Sequence, residues 1–174
     1  MNVSRRSAVI GSIAIILSSV LLLSLAWGMQ HAAIANPPLL GRTAPLLAIK
    51  PLSGDVVRVR ELQGSPVVLN FWASWCGPCV EEAGVLGQAF REGQGNVSYV
   101  GADNRDTDSA YQSFEKTHPH PYPAGPIVLG SYQSYGVAGL PATFFIDKQG
   151  TVLASFVGPL DRRTLNHYIE LITR

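Results

Sequence analysis

Cysteine is scarce in this chain: there are two among 174 residues, both inside the stretch Cys76-Gly77-Pro78-Cys79. That excludes a framework of several disulfides. It also leaves a four-ligand zinc site short of thiolates, because no second CxxC exists and the other candidates are His31, His118, His120 and His167. A basic surplus is missing as well. After residue 36, eleven Lys and Arg face twelve Asp and Glu, which gives no footprint for a nucleic acid. There is no internal repeat and no low-complexity tract. Charge of either sign is absent from Ser7 to Ala35, and no acidic residue precedes position 36.

The charge-free stretch is an object of its own. Ala8–Trp27 would make a helix of roughly 30 Å, about one bilayer core. Arg5 and Arg6 precede it, so the positive-inside rule places the N-terminus in the cytoplasm and the rest of the chain outside. The expected organisation is a cytoplasmic stub and transmembrane signal-anchor over 1–35, a linker over 36–45 and one globular domain over 46–174. A rival reading is secretion after cleavage near Ala35, where "AIA" fits a signal-peptidase site and "SRRSAVI" resembles a twin-arginine signal. Both readings export the domain.

An apolar fraction of 47% is enough for one ordinary core. "LLAIKPLSGDVVRV" predicts two short strands joined across "SGD", and Val67–Trp72 predicts a buried strand. A helix is expected from the cysteines to about Phe90, burying Val80, Ala83, Leu86 and Phe90. "NVSYVGAD" predicts a strand and "DTDSAYQSFEKTH" a helix capped by Thr107 or Asp106 and buried through Tyr111 and Phe114. "PATFFID" and "TVLASFVG" form a hairpin across "KQG", and Asp161 caps a last helix with Leu165, Ile169 and Ile172 on one face. Strands alternating with helices and ending in a hairpin point to an α/β fold, a central mixed sheet flanked by helices on both faces.

Closing so short a ring would restrict the unfolded chain little, so a purely structural disulfide is a poor use of Cys76 and Cys79. Redox exchange suits the stretch better. A helix N-terminus presents unpaired N–H groups and a partial positive charge, which stabilise a thiolate. Cys76, at the helix start, is the expected nucleophile. Cys79, one turn on, is placed to attack the mixed disulfide and release the substrate. Pro78 fits the first turn because its missing N–H has no intrahelical partner there.

"FWASWCGPC", "GVAGLPATFFID" and "KQGTVLASFVG" together resemble the thioredoxin superfamily, and within it the membrane-anchored TlpA/ResA/CcmG(DsbE)-like thiol-disulfide oxidoreductases. The likeness spans nearly all of 43–174. It implies a thioredoxin fold with an N-terminal strand extension, reduction of protein disulfides outside the cytoplasm, and often service to cytochrome c maturation, where the substrate is an apocytochrome c. It implies no cofactor and no nucleic acid, but a membrane electron-transfer protein that re-reduces the pair. Cys76 and Cys79 match the nucleophilic and resolving positions, Trp75 the neighbouring aromatic residue, and Pro141 the family's cis-proline. Trp75, Gly77, Pro78, Leu140 and Pro141 then form the substrate surface. Glu82 matches an acidic residue that tunes the thiols in this branch and would accept the Cys79 proton, although its charge would also favour the helix N-terminus alone. Asn70 stands where cytoplasmic thioredoxins carry a buried Asp; it cannot titrate and reads as a core amide satisfied by backbone groups. Ala142 departs from the Glu found there in many haem-pathway members.

Trp72 reads as core and Trp75 as exposed. His118 and His120 would be the further ligands of a Cu(I) metallochaperone of this fold, the alternative function, although such proteins use CxxxC. Asp103 and Asp106–Asp108 lack the EF-hand spacing and read as helix caps. Asn96 begins a glycosylation sequon. A disulfide-donating oxidant is the third reading; the Gly-Pro dipeptide resembles reducing members instead.

Overall fold

The strand expected at Val67–Trp72 is an interior strand of the sheet, with a neighbour on each side. The structure, a computed structural model, describes residues 13, 15–24, 39–52, 54–93 and 95–174. In it Val67–Trp72 forms β3, with all six residues buried, as suits an apolar, β-branched run with no Gly or Pro. The other strands are β1 (Ala48–Ile49), β2 (Val57–Arg58), β4 (Ser98–Asp103), β5 (Ala124–Leu129), β6 (Ala142–Ile146) and β7 (Val152–Val157). They form a mixed sheet of order β2-β1-β5-β4-β3-β6-β7. β4 runs parallel to β3 and to β5, while β6 lies antiparallel to β3 and β7, and β1 antiparallel to β5 and β2.

Three α-helices follow the expected chemistry: α1 (Gly77–Glu92), α2 (Asp108–Thr117) and α3 (Arg162–Thr173). Thr107 caps α2, its side-chain oxygen accepting the Ala110 N–H, and Asp161 caps α3 by accepting the Thr164 N–H. The expected face of α1 is kept in part: Leu86 is buried and Val80 and Phe90 are half-buried against the same core, while the fully buried residues are Cys79, Glu82, Leu86, Gly87 and Ala89. Glu82 is the charged residue on that inward side, and its carboxylate accepts two N–H donors.

Helices on both faces of the sheet were expected; the α-helices lie with one. A single apolar layer gathers Leu86 and Ala89 of α1, Tyr111 and Phe114 of α2, and Leu165 and Ile172 of α3 around Val68, Trp72 and Phe145. The opposite layer, built on Leu69, Phe71, Val100 and Phe144, takes no residue from these helices; 3-10 turns supply Val59 and Tyr135. The reason is handedness. The connections β3-α1-β4 and β4-α2-β5 step in the same direction across the sheet, so two right-handed crossovers put both helices on the same side.

β5 is not announced by patterning, because Pro126 and Gly125 interrupt it. Gly125 is required there: a Cβ would lie 2.5 Å from the Lys50 carbonyl oxygen. Part of the expected linker belongs to the fold, since Gly41 and Ala44 donate to the carbonyls of Val152 and Gly150, and Thr43 bridges Thr151. Of the expected membrane span at 8–27, residues 15–24 are helical and exposed, and most of the remainder lies outside the described residues. Among the described residues no helix is long and apolar enough to cross a membrane.

Candidate functional site

Strand register brings the distant motifs to one end of the sheet. Phe71 pairs with Ala142 and Trp72 with Asp103, so the loop after β3, the residues before β6 and the loop after β4 converge. That place, beyond the carboxyl ends of parallel strands, is a common site in α/β sheets.

Cys76 is the N-cap of α1, followed by Gly77 and Pro78, and its sulfur accepts the Cys79 N–H at 3.3 Å. Cys76 and Cys79 are joined as a disulfide with Cα atoms 5.2 Å apart. Both are buried, whereas Trp75 is 65% exposed and Trp72 is core. The backbone just before them is pinned from β4: the Ser74 N–H donates to Asp106 Oδ2 at 2.8 Å, and the Asn104 N–H to the Trp72 carbonyl at 2.8 Å.

A cleft of about 590 Å³ opens beside the pair. Cys76 lines it with Trp75, Gly77, Pro78 and Leu140; Cys79 and Pro141 do not. Pro141 is buried behind Leu140, and the Leu140–Pro141 peptide bond is cis. The far wall holds Asn104, Arg105 and Tyr132, none of which the sequence reading singled out.

Beneath the pair lies a buried polar chain. Glu82 is 2% exposed; its Oε1 accepts from Asn70 Nδ2 at 2.7 Å and its Oε2 from the Leu160 N–H at 3.0 Å. The second Asn70 contact, 3.0 Å, goes to the hydroxyl of Thr143, its register partner on β6. Asn70 is thus satisfied by side chains rather than by the backbone groups expected. Burial pushes the Glu82 carboxyl up to about 7, against the lowering effect of the Leu160 and Asn70 hydrogen bonds. Cys79 and Glu82, three positions apart on α1, share its inward face.

Asp103 and Asp106 are not caps. Asp103 is buried at the end of β4, and burial, reinforced by the charge of Asp106, pushes it up to about 7. Asp108 sits in the first turn of α2 and Thr107 is the cap. His118 hydrogen-bonds Thr117, and His120 pairs with Glu115 at 2.5 Å while its ring lies 4.6 Å from Trp72. Neither histidine lines the cleft with Cys76. Among the described residues no three His, Cys, Asp or Glu are grouped as metal ligands.

Residues 39–172 match the protein family described as Redoxin. The thiol-disulfide oxidoreductase ResA of Bacillus thuringiensis (strain Al Hakam) is 30% identical over 139 residues, covering 77% of this chain and 79% of that one. ResA of Bacillus subtilis (strain 168) is 27% identical over 161 residues, 88% of each chain. A solved structure of a thiol:disulfide interchange protein DsbE from Chlorobium tepidum superposes with a TM-score of 0.70 at 30% identity, covering 77% of this chain and 97% of that one.

Proposed function

Since the chain belongs to the redoxin family and is a thiol-disulfide oxidoreductase of the ResA/DsbE-like group in the thioredoxin superfamily, we propose that it reduces protein disulfides outside the cytoplasm. The observation that carries the mechanism is that Cys76 lines the cleft and Cys79 does not. In the reduced protein the Cys76 thiolate, held at the helix N-terminus, attacks one sulfur of a substrate disulfide. That S–S bond breaks, the departing substrate sulfur takes up a proton, and a mixed disulfide joins Cys76 to the other substrate sulfur.

Cys79 then loses its proton to Glu82 and attacks the Cys76 sulfur. The second substrate thiol leaves with a proton from solvent, and two electrons have passed from the protein dithiol to the substrate. A carboxyl held near 7 is ionised in part at neutral pH and suits this acceptor role. The cycle closes when a membrane dithiol protein, drawing electrons from the cytoplasm, reduces the Cys76–Cys79 bond.

Arg5 and Arg6 ahead of the charge-free stretch support anchorage with the domain outside. Protease added to intact spheroplasts should then digest the domain, and protection of the domain would count against that location. Ala142 stands where many haem-pathway members carry Glu, which weighs against an apocytochrome c as the substrate; it is itself buried on β6 and does not line the cleft.

Substituting each cysteine tests the order of events. Cys79→Ser should accumulate a mixed disulfide with substrate through Cys76, visible as a thiol-sensitive mass adduct, and Cys76→Ser should reduce nothing. A Cys76→Ser protein with wild-type turnover would end this mechanism.

A further inference from the structure

We propose that the cleft selects disulfides whose cysteine is flanked by an acidic side chain, and that Arg105 reads that charge. The inference rests on the reading of this cleft as the substrate site and adds the chemistry of the substrate to it.

Arg105 is the one charged residue among those lining the cleft; its companions there are apolar, such as Trp75 and Leu140, or neutral, such as Asn104 and Tyr132. Its backbone has φ 73, a left-handed conformation that few residues other than glycine adopt. Both neighbours are fastened to the cysteine loop, Asn104 through its N–H to the Trp72 carbonyl and Asp106 through Oδ2 to the Ser74 N–H. The arginine is therefore placed by the same contacts that place Cys76.

Its side chain is held too. The guanidinium carbon lies 4.9 Å from the centre of the Tyr132 ring, and Nη2 donates to the Tyr132 hydroxyl. One such contact leaves most of the five guanidinium N–H donors unused. Among the described residues the ion pairs are Arg58–Glu61, His120–Glu115 and Arg162–Glu92, so no described carboxylate pairs with Arg105. An exposed cation, oriented by an aromatic ring and facing an otherwise uncharged cleft, is complementary to a carboxylate brought in by the ligand. An extended peptide lying across Cys76 with Asp or Glu beside its own cysteine supplies that carboxylate. A Lys at the same place meets repulsion.

The test uses the reduced full chain and disulfide-linked peptide dimers that are identical apart from Glu, Gln or Lys next to the cysteine, with neutral hydroxyethyl disulfide alongside. The readout is the ratio of second-order reduction rates for the Glu and Lys peptides within each protein, which a general loss of stability does not move. The wild type should prefer the Glu peptide about tenfold at low ionic strength, the preference shrinking with added salt. Arg105→Glu should invert the ratio, and Arg105→Gln should bring it toward one, deciding the matter if the charge reversal does not fold. A ratio of one or below in the wild type, or a wild-type ratio in either variant, overturns the charge selection while leaving the reductase reading intact. Failure to reduce any peptide or hydroxyethyl disulfide overturns that reading and this inference with it.

Discussion

Replacing Glu82 by Gln perturbs stability and chemistry together, and the structure sets the size of the first effect. The carboxyl is pushed from 4.5 up to about 7 by burial. The folded protein thus holds this proton more tightly than the unfolded chain, so the stabilisation is whole below pH 4.5 and is lost as the pH rises through about 7. At 1.36 kcal/mol for each pH unit, the loss is about 3 kcal/mol. Gln cannot titrate, but its single carbonyl oxygen must serve two N–H donors, from Asn70 and Leu160. One donor goes unsatisfied at a cost of about 1–3 kcal/mol.

Glu82→Gln should therefore be less stable than wild type at pH 4 by about that amount and should gain about 3 kcal/mol relative to it by pH 8. The two curves should cross between about pH 5 and 7. Asp103, also raised to about 7, contributes a slope of the same sign to both proteins and cancels in the difference. Urea unfolding of the oxidised protein at pH 4, 6 and 8 measures it. The same variant should release substrate from the mixed disulfide more slowly and without a rise in rate through pH 7. A stability difference constant across pH would refute the assignment of the proton to Glu82, and an unchanged release profile would refute its part in the exchange.

Two further substitutions probe the frame. Gly130 has φ +80, and a Cβ there would lie 2.0 Å from the Leu46 carbonyl oxygen; Gly130→Ala should lower stability by several kcal/mol through both strain and clash, about 3 or more, and a loss below about 1 kcal/mol by urea unfolding would contradict that packing. Asp161→Ala removes the cap, whose Oδ1 accepts the Thr164 N–H at 2.7 Å, and should lower the urea midpoint, with an unchanged midpoint showing the cap to be idle.

What the sequence discloses about this site depends on how local each feature is. The N-cap position of Cys76, Pro78 in the first turn, the core place of Trp72 and the exposure of Trp75 follow from neighbours in the chain, and the structure agrees. Glu82 is legible as a residue one turn beyond Cys79. Its partners are not, because Asn70 lies 12 residues before it and the Leu160 N–H 78 after it. An amide inside a strand invites a backbone partner; here strand register supplies Thr143 instead, 73 residues away. The string of acids after β4 suggested capping, yet only an observer of the β3–β4 register could see Asp106 reaching Ser74. Arg105 carried one weak signal, a lone base among acids, and its meaning came from Tyr132 beside it on the same wall of the cleft. The two-sided helix arrangement failed for a different reason: alternation of strands and helices fixes the class of fold, while the direction of each crossover in the sheet fixes the face.

The central claim is that this dithiol gives electrons to protein disulfides. Equilibrating the chain in thiol buffers of graded potential, with alkylation of free thiols and Trp75 fluorescence as independent readouts, measures it most directly. A single two-electron transition near −270 mV, the range of reducing thioredoxins, is the predicted result; a midpoint near −120 mV would make the protein a disulfide donor and contradict the account.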